Sequence, residues 1–249
     1  MKRLPLPHAT LTSLFAALGL AASPAAHADT RAGFGGFGHW SQGFMLGDFG
    51  GLEPALGAKG ALGEADSAPG YANTFGGGGR MLMLGGLVLG GRGYGLETEE
   101  SHTTAGSAKL SGGGGGVDIG WAFLNDGKYI AYPYVGAQGL GFGLDLDNNT
   151  DDAMAFGTSH SIESTHSAVF ASGTWALDFG MGMHQFLFEP EKGGGGGFVL
   201  GGEMGVLVGL SGGEWTDSED VVVKGVDPFA LTTLYMRLNV GGGGYMTKK

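Results

Sequence analysis

Strict alternation between bulky apolar residues and glycine, small or charged ones is the feature that most limits what this chain can become. In 196–210, Phe198, Leu200, Met204, Val206, Val208 and Leu210 share one phase, and Val199, Gly201, Glu203, Gly205 and Gly209 share the other. In 231–246, Leu234, Met236, Leu238 and Val240 oppose Tyr235, Arg237 and Asn239. A period of two marks a strand with unlike faces, because successive side chains leave the pleat on opposite sides. Eight such segments stand out, at 34–46, 76–83, 86–97, 107–124, 129–144, 167–184, 196–210 and 231–246. In the sixth, Val169, Trp175, Leu177, Phe179 and Met181 oppose Ser172, Thr174, Asp178 and Gly180. In the fifth, Ile130, Tyr132, Tyr134, Leu140, Phe142 and Leu144 oppose Ala131, Ala137, Gly139, Gly141 and Gly143.

Composition supports a β protein and removes other classes. Glycine supplies 55 of 249 residues, against a usual share of about 7%. That much glycine disfavours helices, and the collagen period is absent. A hydrophobic fraction of 42% is too high for a disordered chain. With no cysteine, disulfide scaffolds, thiolate metal sites and cysteine nucleophiles are excluded. The net charge of −11 argues against nucleic acid as a partner, since phosphates require basic patches.

Residues 1–28 read as a secretory signal peptide. Lys2 and Arg3 precede an apolar core at 11–22 and an Ala26-His27-Ala28 cleavage pattern. The expected mature domain is 29–249. No later run of 18 apolar residues could form a spanning helix, but spanning strands need only about 9–11 residues.

Alternation alone does not say which face is buried. A soluble sandwich hides the bulky face, and a transmembrane barrel turns it toward lipid. Three features favour the barrel. First, connections alternate between short (84–85, 125–128, within 188–195) and long (47–75, 98–106, 145–166, 211–230), as in barrels with short periplasmic turns and long outside loops. Second, Asp118, Asp178, Glu203 and Arg237 fall on the small-residue face, with Arg92 and Arg80 as further members, so they would form a charge network inside the barrel. Third, glycine on that face relieves crowding in a narrow interior.

Tyr132-Pro133-Tyr134-Val135-Gly136-Ala137, Gly139-Leu140-Gly141-Phe142-Gly143, Gly201-Gly202-Glu203-Met204-Gly205-Val206 and the closing strand 231–246 resemble small bacterial outer-membrane β-barrels of the OmpA/OmpX/OmpW kind. The resemblance is one of pattern over about 30–246. It implies an all-β fold, an eight-stranded antiparallel up-and-down transmembrane β-barrel, with outer-membrane lipid as its surroundings. It also implies a non-enzymatic structural role, or one in which the loops meet an extracellular ligand or protein. Ten strands would result if a long loop hid a hairpin. Tyr245 shares its phase with Arg237 unless a bulge in 241–244 resets it, and Pro133 belongs near a rim. Residues 52–62 could form a short helical turn. The rival readings are a soluble periplasmic or secreted β-barrel or sandwich binding protein, and an outer-membrane lipid-modifying enzyme.

Chemical motifs are sparse. Residues 33–38 match G-x-G-x-x-G, but without the strand–helix context that motif requires. Residues 209–213 match G-x-S-x-G, followed by a polar loop rather than a helix. Asp145, Asp147, Asn149 and Asp151 begin like a calcium loop, making Ca²⁺ the candidate cofactor, but Thr150 and Phe156 replace its glycine and glutamate. His160-Ser161 and His166-Ser167, with Glu163, suggest the Ser/His chemistry of outer-membrane lipid A deacylases. Neighbours on a strand face opposite ways, however, and the His-x-Ser pattern of that family is absent. Acidic runs at 97–100, 145–152 and 214–220 form an anionic crown able to hold divalent cations or repel anions.

Overall fold

The computed structural model describes residues 33–48, 56, 70–187, 194–210, 212–227 and 231–247. The expected signal peptide lies outside them. So does all of the expected helical turn at 52–62 except Leu56, which is helical and fully buried.

Eight long strands form the wall: β1 (Gly33–Asp48), β2 (Tyr71–Leu82), β3 (Leu87–Glu97), β4 (Gly106–Trp121), β5 (Tyr129–Asn148), β6 (Ser167–Phe186), β7 (Gly195–Gly209) and β8 (Thr232–Thr247). Each pairs antiparallel with its sequence neighbours, and β8 pairs with β1, so the sheet closes and has no edge. The loop at 149–166 does contain a hairpin, Met154–Phe156 with His160–Ile162, but it forms a separate two-stranded sheet. The barrel therefore has eight strands, not ten.

Turn chemistry explains the tight end. Met83 N donates to Leu87 O, and Gly85 and Gly86 adopt φ of 84° and 90°, which side chains resist. At the next turn Lys128 N and Tyr129 N donate to the Asp126 carboxylate, and Gly127 takes φ 86°. Pro133 lies just past the last β4–β5 pair, Gly120 with Tyr134.

The register fixes the geometry of the lumen. Tracing partners around the wall from Phe37 passes Arg80, Gly90, Asp118, Gly136, Asp178, Leu207 and Thr233, and returns to β1 at Gly47, ten residues along. An even offset returns an inward residue to an inward position, so the two faces stay distinct around the closure. Over part of the wall, from β2 to β6, large residues alternate with glycine along such rows. Arg80, Gly90, Asp118, Gly136 and Asp178 form one row, and Gly78, Arg92, Gly116 and Gln138 form the next. A Cβ at Gly205 would lie 2.6 Å from the Tyr235 hydroxyl, and one at Gly182 would lie 2.7 Å from Tyr132 Cζ.

Faces divide as a barrel in lipid requires in seven strands. Leu238 is 68% exposed, whereas Glu203 and Arg237 are each 3% exposed. Trp40, Val117, Trp121, Trp175 and Phe198 also face outward and exposed. Val206 shares that outward phase but is buried, flanked in register by Phe179 and Leu234. This distribution is the reverse of a soluble sandwich.

Strand β5 corrects the sequence reading. Its bulky face, with Ile130, Tyr132, Tyr134, Leu140, Phe142 and Leu144, points inward, and Ala137, Gly139, Gly141 and Gly143 point outward. The inward phase is set by register, since Tyr134 pairs with Gly120 and Gly180, and both glycines leave room for the ring. Tyr245 also faces inward and is buried, because β1–β8 pairing runs through Gly241–Gly244 without a bulge.

Two apolar clusters fill the lumen. At the turn end Phe37, Leu82, Val88, Ile130, Phe186, Val199 and Tyr245 pack together. At the loop end Leu140, Phe142, Leu144, Leu146 and Leu207 meet loop residues Met154, Phe156, Ile162, Trp215, Val223 and Leu231. Overpacking costs about 1–3 kcal/mol, so Gly182→Ala should lower the stability of the refolded barrel by that amount. Gly141→Ala, at a site with open space around it, should leave stability nearly unchanged. Urea titration of both variants in the same detergent measures the contrast.

Candidate functional site

Between the two apolar clusters lies a belt of charged and phenolic groups. Arg80 bonds Glu203 Oε1 at 2.6 Å, Asp118 Oδ2 at 3.1 Å and the Tyr132 hydroxyl at 2.9 Å. Arg92 reaches Asp118 Oδ2 at 2.9 Å, Glu203 Oε2 at 3.2 Å and Asp178 Oδ2 at 3.3 Å. Asp178 accepts from Tyr235 at 2.6 Å and from Gln138 at 2.5 Å, and the Tyr94 hydroxyl donates to Gln138 Oε1 at 2.8 Å. Tyr134 and Tyr235 share a hydroxyl contact of 2.5 Å. Every barrel strand except β1 contributes to this network.

The structure brings Arg92, Asp118, Asp178 and Glu203 together, with Arg80. Arg237 behaves differently from the sequence expectation. Among the described residues it makes no ion pair, although it is the register partner of Glu203. Its guanidinium instead lies 4.2 Å above the Tyr94 ring and 4.6 Å above the Tyr235 ring. Glu203 is already held by Arg80 and Arg92 from across the lumen, so Arg237 is stabilised by aromatic faces instead. With it, three arginines balance three carboxylates. The tyrosines and Gln138 were missed from the sequence. Gln138, in phase with Tyr132 and Tyr134, was the available sign that this face of β5 looks inward.

The candidate calcium ligands do not converge. Asp145 and Asp147 project outward from β5, roughly 7 Å apart at strand rise, and Asn149 and Asp151 lie beyond the strand end. Asp147 lines a 320 Å³ surface cleft with Glu100, Ser107, Lys109 and Asp145, where Ser107 Oγ donates to Glu100 at 2.6 Å and lies 3.3 Å from Asp147 Oδ2. Among the described residues no three histidine, aspartate or glutamate side chains are grouped to hold a metal.

The loops form a built mouth over the apolar floor. The Asn148 side chain is buried and donates to the carbonyls of Asp152, Ile162 and Glu163. Thr216 bridges to Ala171 on β6, and Ser172 Oγ donates to Gly213 O at 3.0 Å. His160 Nε2 lies 2.9 Å from Asp217 Oδ2, joining the loop at 149–166 to the loop at 211–230. Asp217 Oδ1 accepts from Glu219 N at 2.8 Å and from Val221 N at 2.9 Å. The Val221 bond, with the His160 contact, holds the Asp217 carboxyl below the usual aspartate range. Its contribution is therefore complete above the ordinary aspartate pKa and is lost as pH falls through the lowered value. Ser161 and Glu163 are not partners of His160, and His166 Nδ1 contacts Ser164 O.

No family model and no curated protein matches the chain. Among solved structures it is similar to Ail, the attachment invasion locus protein of Yersinia pestis, with 11% identity and a TM-score of 0.38 over 86% of this chain and 98% of Ail. It is also similar to the outer membrane protease OmpT from Escherichia coli, with 9% identity and a TM-score of 0.33 over 90% of this chain and 100% of OmpT.

Removing one carboxylate from a buried ion network leaves a positive charge uncompensated away from water, at a cost of about 3–5 kcal/mol. Glu203→Gln, which strips carboxylate from both Arg80 and Arg92, should lose stability on that scale. Equilibrium unfolding of the refolded variant against wild type measures it.

Proposed function

We propose that the chain is an outer-membrane protein of a Gram-negative bacterium, embedded in lipid as a barrel whose lumen admits no solute. Its role is structural or interaction-based, and the outside loops carry it. One observation supports this above all: the exposed outer wall is apolar, while Arg80, Arg92, Asp118, Asp178, Glu203 and Arg237 all lie buried inside. A chain dissolved in water gains nothing from that inversion, whereas in hydrocarbon an outward charge costs several kcal/mol. Closure also satisfies every strand edge where lipid offers no hydrogen bonds.

The filled lumen supports the second half of the proposal. Two apolar clusters and a charge belt occupy its length, as expected for an eight-stranded barrel. The loop surface is acidic, with Glu97 at the end of β3 and Glu99, Glu100, Asp151, Asp152, Glu219 and Asp220 beyond the wall. Cationic partners and divalent ions are the chemistry such a surface attracts.

The mature protein should fractionate with the outer membrane and migrate differently on gels before and after boiling. Recovery in the soluble fraction would sink the proposal. In planar bilayers it should show no steady conductance. Leu238→Arg should weaken insertion by up to about 4 kcal/mol if the residue sits at mid-depth, measured by refolding into vesicles.

A further inference from the structure

Ser159, His160 and Asp217 form a relay at the loop end, outside the belt, with Asp217 drawn from the acidic run at 214–220. Ser159 Oγ lies 2.9 Å from His160 Nδ1, and His160 Nε2 lies 2.9 Å from Asp217 Oδ2. Ser159 falls in the turn before the short strand His160–Ile162, so the rule that strand neighbours point apart does not apply to it. Ser161, inside that strand, is the residue to which the rule does apply.

Each member is held by a separate contact. Asp217 Oδ1 is occupied by two backbone N–H groups, which leaves Oδ2 for the imidazole. Phe170 packs edge-on against the His160 ring with centroids 5.8 Å apart. Ser159 Oγ accepts a hydrogen bond from Lys224 N at 2.8 Å. An ionised Asp217 selects the tautomer with its proton on Nε2, and Nδ1 is then an acceptor for the serine hydroxyl. Nucleophile, base and orienting acid thus stand in hydrogen-bond sequence. His160 and Asp217 are partly buried, while Ser159 is exposed to an arriving substrate.

We propose that Ser159 is a nucleophile activated by His160, with Asp217 as positioning residue, and that the site takes carboxylic esters from the solvent side. The proposal goes beyond the interaction role above and rests on it only in using the loops. In the first step Ser159 Oγ bonds the acyl carbon, its proton passes to His160 Nδ1, and the C–O bond to the alkoxide breaks as the alkoxide takes that proton. In the second step water attacks the acyl-serine, its proton returns through His160, and serine and carboxylic acid are released. An ester suits this solvent-open site because an alkoxide leaves more readily than an amine.

The test uses the full chain purified in detergent, so that an error about membrane location does not affect it. A fluorophosphonate probe should label wild type on the peptide containing Ser159. Ser159→Ala should abolish the label, and Ser161→Ala should retain it. His160→Gln should reduce the rate by about a hundredfold, the scale of general-base assistance. Asp217→Asn should reduce it and alter the pH profile, and Asp217→Glu should restore part of it. The proposal is overturned if folded wild type, verified by heat-modifiable migration, is not labelled at Ser159. It is equally overturned if His160→Gln labels at the wild-type rate.

Discussion

A narrow lumen that wall side chains must fill, with glycine making room beside the largest of them, governs this molecule. Eight strands offset by ten residues around the closure leave space that wall side chains must fill. The rows meet this limit by interleaving: Arg80, Asp118 and Asp178 stand with glycines between them, and Tyr134 and Tyr235 lean over Gly180 and Gly205. Many of the glycines are therefore complements to specific large partners. They make room for the network that joins opposite walls.

That network has a demanding energetic character. Carboxylates and guanidinium groups removed from water regain stability only when their partners are complete. Here Glu203 bonds two arginines, Asp178 is further held by Tyr235 and Gln138, and Arg237 lies between two tyrosine rings. The apolar clusters above and below keep water from this belt. The loops extend the upper cluster, with Trp215, Phe156 and Leu231 fully or nearly buried beneath them. A loop surface packed this way can hold the Ser159–His160–Asp217 geometry in place, which an unsupported loop could not.

Much of the architecture was legible in the chain because period-two alternation and loop length are local properties. The eight segments, the alternation of short and long connections and the inward phase of Asp118, Asp178, Glu203 and Arg237 could all be read directly. Strand β5 departs from the expected orientation because it has a bulky face and a small face like its neighbours, and only pairing decides which one meets the lumen. Gln138 on the bulky side was the informative residue. Phase alone puts Arg237 with the inward charges, and phase does not say whether a guanidinium meets a carboxylate or a ring. The relay at the mouth was hidden because Asp217 lies 57 residues beyond His160, and its neighbour Ser159 acts from a turn rather than a strand.

The sequence by itself determined that this chain makes two-faced strands, where the eight segments lie, and that glycine, small and charged residues share one face in most of them. Those are consequences of side-chain period and volume, which each segment carries alone. Tertiary structure placed the hairpin in the loop at 149–166 outside the wall, and it decided the direction of β5, the partners of each arginine and the meeting of residues from separate loops. Those outcomes depend on closure and register, which set distances between side chains that no single segment contains.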